Sequence, residues 1–277
     1  MNKLLALTLC GFSSVAAAQT PAVNLMPDGS RDMYIGLGAI VQPRYEGAAE
    51  RRTRALPLLQ VEFSNGVFLS GMSAGWHASQ QPGLEFGPLV GVHPGRDESG
   101  LGGKLGGVTE MAAPDRGFAS YTGNRLAGLE DIDARLTGGG FLNVYLRPDL
   151  RLNNTVLYGA GGNGLAWEAS VQKVAGSMES PHRVSLAAGV TVVNRHYNEA
   201  FFGVPGTTAR LTGLAEHHPD AGVKDVFVGV RWNWALSPSW IVTSSARASR
   251  LTGDARNSPL VERTSQFSIS TGLAYRF

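Results

Sequence analysis

Gln266-Phe267-Ser268-Ile269-Ser270-Thr271-Gly272-Leu273-Ala274-Tyr275-Arg276-Phe277 alternates from one end to the other. The odd positions are Phe267, Ile269, Thr271, Leu273, Tyr275 and Phe277. The even positions are Gln266, Ser268, Ser270, Gly272, Ala274 and Arg276, all small or polar. A two-residue period marks a strand whose two faces meet different surroundings. Here the greasy face ends in aromatic rings.

The same phase recurs upstream. Val226, Val228, Val230, Trp232 and Trp234 alternate with Asp225, Phe227, Gly229, Arg231 and Asn233. Val184 to Val192 and Leu165 to Val171 repeat it, and Leu59, Val61 and Phe63 give a shorter case. A soluble sandwich also alternates, so residue choice has to decide. The polar faces carry charges inside long strands (Glu168, Arg231, Arg247), and the apolar faces end in Trp and Tyr. That is the layout of a transmembrane barrel with aromatic girdles.

Composition agrees. Of 277 residues 36 are Gly, about 13%, against a usual ~7%. Charged residues make up 17%, against a usual ~25%. After residue 18 there is no apolar run long enough for a spanning helix, which leaves a closed barrel as the way to cross a bilayer. A net charge of +2 gives no basis for nucleic-acid binding.

Residues 1–18 read as a secretory signal: Lys3, an apolar run from Leu4 to Val15, then Ala16-Ala17-Ala18. The mature chain is expected to begin at Gln19. Cys10, the single cysteine, lies in the apolar run, and Leu9 before it argues against lipidation. Residues 19–32 are expected to be an N-terminal periplasmic segment and 33–277 one all-β domain, an antiparallel outer-membrane barrel.

Strands are expected near 33–42, 54–63, 66–77, 83–93, 133–146, 149–160, 164–174, 182–194, 222–235, 239–251 and 264–277. Ser64-Asn65-Gly66, Arg147-Pro148-Asp149 and Ser237-Pro238-Ser239 supply turns. Short turns should face the periplasm and long loops the exterior. Eleven strands break the even-number rule. Strand directions place the missing one between 94 and 132, with Leu101 to Glu110 as the candidate. The expected count is 12, with 10 as the alternative.

Five motifs follow one another along the chain. They are Gly36-x-Gly38 with Pro43-x-Tyr45-x-Gly47 and Pro57; Gly95-Arg96-Asp97 with Leu126-x-Gly128-Leu129-x-Asp131-Ile132; Tyr197 with Phe202-Gly203-Val204; Leu251-x-Gly253-Asp254-Ala255-x-x-Ser258-Pro259-Leu260-Val261; and Tyr275-Arg276-Phe277. In this order they resemble the MltA-interacting protein (MipA/OmpV) family of outer-membrane proteins. The resemblance implies a barrel in the outer membrane of a Gram-negative bacterium. For the founding member it implies a scaffold joining a lytic transglycosylase to a murein synthase. Tyr275 and Phe277 resemble the C-terminal signal read by the barrel assembly machinery.

Three motifs suggest chemistry and lose their context. Gly71-Met72-Ser73-Ala74-Gly75 has the nucleophile-elbow spacing but no helix after it. It reads as small residues in a strand lining the lumen. Gly159 to Gly164 has dinucleotide-loop spacing but precedes a strand. Glu216-His217-His218-Pro219-Asp220 offers ligands without zinc-site spacing, and a solvated loop explains it. No catalytic, metal or cofactor site is expected.

The expected functional residues are therefore of two kinds. Arg135, Arg183, Arg231, Arg247, Glu62, Glu168 and Asp225 should face the lumen, where burial favours mutual pairing. Tyr197, Phe201, Phe202 and Gly203, with Asp254, Ser258 and Pro259, sit in long loops and form a plug or an interaction surface. The leading expectation is a non-enzymatic scaffold held among outer-membrane lipids. A narrow channel for small polar solutes and an adhesin acting through the outer loops are the alternatives.

Overall fold

The computed structural model describes residues 33–79, 83–101, 125–159, 164–175 and 180–277. The expected signal and residues 19–32 lie outside them.

The wall is built from β1 (Tyr34–Pro43), β2 (Arg51–Glu62), β3 (Val67–Ser70), β4 (Ser73–Trp76), β5 (Leu84–His93), β8 (Arg135–Arg147), β9 (Leu150–Gly159), β10 (Gly164–Ala175), β11 (His182–Val193), β12 (Gly222–Ala235), β13 (Trp240–Leu251) and β14 (Ser265–Arg276). These strands form one closed sheet in which every neighbour is antiparallel. β1 pairs with β14, from Tyr34 opposite Arg276 to Val41 opposite Ile269. The short hairpin β6 (Arg96–Asp97) and β7 (Gly100–Leu101) stands apart from the wall.

The expected count of 12 holds, but the twelfth strand is elsewhere. β5 pairs directly with β8 over Leu84 to His93, so no strand fits between them. Leu101 belongs to β7, and the rest of the expected segment lies outside the described residues. The extra strand comes from the expected 66–77 segment, which folds into two. Gly71 at φ 57° makes the turn, and Ser70 faces Ser73 across it. Glycine at the first central position suits a two-residue hairpin turn. So the nucleophile-elbow spacing spans a tight turn and β4, not one lumen-lining strand.

The solvation pattern is turned inside out. Leu37, Leu136 and Val228 are 64%, 75% and 59% exposed, whereas Thr243 and Asn143 are fully buried. A soluble sheet would reverse this. The outer face is a hydrocarbon surface, which the alternation foretold for β12 and β14. Its turn-side end carries the girdle: Trp232 and Trp234 stack with centroids 5.9 Å apart, His182 lies beside both, and Trp240 meets Tyr275 edge-on.

The turns after β2, β8 and β12 and both barrel ends share one rim; the long connections 94–134, 194–221 and 252–264 share the other. Turn chemistry thus sorts the connections between the two rims as expected.

Glycines let the closing seam form. A Cβ on Gly36 would run into Leu273 O and Ala274 Cα, and Gly38 stands opposite Gly272. Gly36→Leu should therefore prevent closure. Unheated Gly36→Leu protein should run at the heated position in an SDS gel, while the parent shows a heat-dependent shift. A shift that survives the substitution would show that the seam tolerates the side chain.

Candidate functional site

The described parts of the long connections fold over the mouth of the barrel opposite the short turns. The connection after β11 opens with α1 (Arg195–Phe202), and the sequence specifies its start. Asn194 caps it, with Oδ1 accepting from Tyr197 N–H at 3.0 Å and from Leu165 N–H at 2.9 Å. One side chain thus satisfies a free helix donor and ties the helix to β10. Gly164, at φ 65°, passes so close that a Cβ would strike Tyr197 N. α2 (Gly206–Thr212) follows, and α3 (Gly253–Arg256) lies in the last long connection.

Tyr197, Phe201 and Phe202 face inward, with Phe202 wholly buried. They pack with Val193, Leu251 and Ala255, and Ile132 and Val261 close the cluster's edge. As free aromatics they would form an unusual bare patch; here they make a small core at the mouth. Gly203 ends α1, its N–H bonded to Glu199 O at 3.0 Å.

Polar contacts from several parts of the chain pin this core. Ser258 Oγ donates to Phe202 O at 2.6 Å. Arg96 reaches the last turn of α1 and donates to Phe201 O at 2.6 Å and Ala200 O at 3.3 Å. A cation at a helix C-terminus answers both its free carbonyls and its dipole. Burial lowers the Arg96 pKa to about 10, so it remains a cation at neutral pH. Tyr45 OH donates to Leu260 O at 3.0 Å, and its ring packs with Ala48 and Leu126. Arg125 donates to Pro259 O. Asp254 Oδ2 accepts from Asp220 N–H at 3.0 Å, and its carbonyl contacts His217 Nε2. The seven loop residues read from the sequence therefore share this one cap.

Beneath the cap lies a ladder of charge. Lys224 Nζ contacts Glu46 Oε1 at 2.5 Å and Asp225 Oδ2 at 3.2 Å. Arg247 contacts Asp225 at 3.8 Å and Glu168 at 3.1 Å, and its guanidinium stacks 3.5 Å over Phe227. Thr191 Oγ1 donates to Asp225 at 3.1 Å. Lys224 also lies 5.3 Å from the Tyr197 ring centre, which joins the ladder to the cap. Burial holds the Tyr197 phenol well above its ordinary pKa, so it stays neutral.

Asp225, Arg247 and Glu168 come together here. Glu62, Arg135, Arg183 and Arg231 do not join this ladder; all are half-buried in the wall, Glu62 and Arg183 near the turn-side rim. A second lumen network forms at that end. Glu85 Oε2 accepts from Asn143 at 3.1 Å and Tyr145 OH at 3.0 Å. Arg151 donates to Tyr145 OH at 3.2 Å and Gln172 at 2.8 Å.

Sequence reasoning missed Lys224 for a physical reason. Alternation sends it to the lipid face, next to inward Asp225. A bulge intervenes, because Thr191 faces Asp225 but Val192 faces Val223. Lys224 is the extra residue, and both neighbours turn inward. Arg96 and Tyr45 lay inside quoted motifs without an assigned role.

Among the described residues no cluster of three His, Cys, Asp or Glu is placed to hold a metal. His218 pairs with Glu216 at 2.9 Å, and His217 points elsewhere.

The model of the family described as MltA-interacting protein MipA matches residues 35–277. The chain belongs to that family. Among curated proteins, this MipA-family chain is 25% identical to the MltA-interacting protein of Escherichia coli (strain K12) over 146 residues, 52% of this chain and 54% of the relative. It is 29% identical to outer membrane protein Omp26La of Vibrio anguillarum over 90 residues, 32% of this chain and 34% of that one. The chain thus spans about a third to a half of the length of these relatives. Among solved structures, the NanC porin aligns with 88% of this chain and 100% of its own at 8% identity and a TM-score of 0.46. The KdgM porin does so over 88% and 99%, at 9% and 0.42. This MipA-family protein is an outer-membrane β-barrel of a Gram-negative bacterium.

Two outcomes follow from the cap. Arg96→Leu leaves the carbonyls of Phe201 and Ala200 without their donor, a loss of about 1–3 kcal/mol. Amide exchange in α1 should accelerate by roughly 10- to 100-fold, with the barrel strands unchanged. Unaltered exchange in α1 would show that Arg96 does not hold the helix. Tyr45 supplies a pH test. Burial first, then Glu262, pushes its pKa up to about 12. A folded value above the ordinary ~10 means the Leu260 bond is intact below pH 10 and is lost as pH climbs toward 12. Ultraviolet titration of Tyr45→Phe should lack one phenolate transition near pH 12; an unchanged late titration would assign that transition to another tyrosine.

Proposed function

We propose that this barrel is a non-enzymatic scaffold that gathers peptidoglycan-remodelling enzymes at the inner face of the outer membrane. One observation carries the reading: the mouth is occupied by a packed cap whose central residue, Phe202, is wholly buried. Below it, Lys224, Asp225, Arg247 and Glu168 are committed to one another. Such a barrel has a fixed interior and leaves its rims free for recognition. The relative named MltA-interacting protein supports a lytic transglycosylase as one partner; a murein synthase is the second in this proposal. The loop residues Tyr197, Phe201, Phe202, Gly203, Asp254, Ser258 and Pro259 then act as a plug. Tyr275 and Phe277 guide insertion by the assembly machinery.

Partners on the periplasmic side meet the short turns. Arg147 and Asp149 pair there at 3.2 Å and stay largely exposed, and residues 236–239 form the neighbouring loop. The polar network around Glu85 and Arg151 favours a narrow channel as the second reading.

In-cell cross-linking from a photoreactive residue at Ser237 should recover a lytic transglycosylase. Arg147→Glu with Asp149→Lys should reduce that recovery several-fold, and Glu168→Gln should leave it unchanged. Recovery of the barrel alone, with a steady single-channel conductance that Glu168→Gln alters, would overturn the scaffold in favour of the channel.

A further inference from the structure

Two arginines stand on the outer face beside the closing seam, at the rim opposite the short turns. Arg51 opens β2 and is exposed, and its guanidinium lies 5.5 Å from the ring centre of Phe267. Phe267 points outward from β14 and is 38% exposed. Arg250 lies on the other side of that ring. It faces Ser265 across the β13–β14 pair, while Ala248, on the same face of β13, faces Phe267. Such a diagonal step is about 7–8 Å, within reach of a long side chain. The ring therefore stands between two cations. Neither is neutralised within the chain: among the described residues Arg51 and Arg250 make no ion pair. The neighbouring carboxylates are engaged elsewhere, Glu50 with Arg44 at 3.1 Å and Glu262 with Arg125 at 3.6 Å and Ala49 N–H at 2.7 Å.

Strand length fixes their depth. Ser265 and Tyr275 are ten residues apart on β14. At about 3.3 Å per residue and a tilt of about 40°, that is a rise of roughly 25 Å, the height of the apolar band in such barrels. Trp240 and Tyr275 mark one edge of the band, so Arg250, opposite Ser265, stands at the other. Cations at a lipid–water boundary attract anionic headgroups.

Below Arg250 the outer face is furrowed. Ala248 and Ala246 lie between Val228 and Val230 of β12 on one side and Phe267 and Ile269 of β14 on the other. Methyl groups flanked by larger side chains leave a channel one strand wide. It ends where the hydroxyls of Ser244 and Thr271 bond to each other at 2.9 Å. Free cations at the boundary with an apolar furrow directly beneath suit an amphiphile with an anionic head. Guanidinium groups take phosphate oxygens in paired hydrogen bonds. We propose that Arg51 and Arg250, on either side of Phe267, bind the headgroup of a lipid with an exposed anionic phosphate, and that one of its acyl chains lies in the Ala246–Ala248 furrow. A second barrel docked two-fold on this face would set its arginines against these, which opposes self-association here. The site is independent of the scaffold reading, since it lies on the lipid face at the rim opposite the short turns.

The test uses full-length protein in phosphatidylcholine vesicles, in a Cys10→Ala background. A fluorophore is placed at Ala248→Cys in the furrow, or at Val156→Cys, which faces lipid on β9 at a matching distance from the same rim. Brominated phosphatidic acid should quench the label at Ala248→Cys several-fold more than at Val156→Cys, saturating at low mole fraction. Brominated phosphatidylcholine should quench the two alike, and Arg51→Gln with Arg250→Gln should erase the preference for phosphatidic acid. Equal quenching by phosphatidic acid at the two positions overturns the proposal, and so does a preference that survives the double substitution. Inorganic phosphate should leave the quenching unchanged; displacement by it would reduce the site to one for a free anion and overturn the lipid. A disulfide dimer through unlabelled Ala248→Cys, without selective quenching, would assign the face to a second copy. If the labelled variant loses its heat-dependent gel shift, the unlabelled protein decides. Radiolabelled phosphatidic acid should stay with the parent through detergent washing and be lost from Arg51→Gln with Arg250→Gln, and equal retention overturns the site.

Discussion

Backbone hydrogen bonds have no alternative partner in a hydrocarbon layer. Every other feature of this molecule answers that constraint. With no long apolar helix among the described residues, the wall crosses as a sheet, and the sheet must meet itself. The meeting of β1 with β14 is therefore the contact on which the rest depends. It makes the outer face apolar, leaves the polar side chains inside, and sends the connections to two rims. Long connections then have room at one rim to fold into a cap of their own.

That inside-out arrangement explains the charge ladder. Lys224 and Asp225 are buried inside the wall, with Arg247 and Glu168 half-buried beside them, so the four turn to one another. Removing a single member would leave an uncompensated buried charge, which is more damaging than replacing the set. The cap sits on this ladder through Tyr197 and is tied to distant parts of the chain by Arg96, Tyr45 and Ser258. Helix α1 is too short to be stable alone, so its order comes from these ties.

Much of the wall was legible because a period of two is a direct record of sidedness. β10 to β14 follow from alternation, and the turns at 64–66, 147–149 and 237–239 mark one shared rim. The hairpin of β3 and β4 was hidden, since each arm is too short to show a period and Gly71 passes for a small strand residue. Parity supplied the right count, while strand directions, with 66–77 taken as a single strand, supplied the wrong location. In the mouth, aromatics in a long loop marked the cap, but its fastenings are long-range contacts. No local pattern links Arg96 to a carbonyl 105 positions away. Lys224 was hidden by the bulge that turns it inward.

The seam has a consequence in time. The strand needed to complete the barrel is the last one along the sequence, and its partner is the first. No partial chain carrying only the early strands has a closed form available. Loop-closure entropy for such a distant pair must be met before the pairing returns any stability. The unclosed chain therefore has to be kept from aggregating over its whole length, and closure is a single late event, not a gradual growth of the wall.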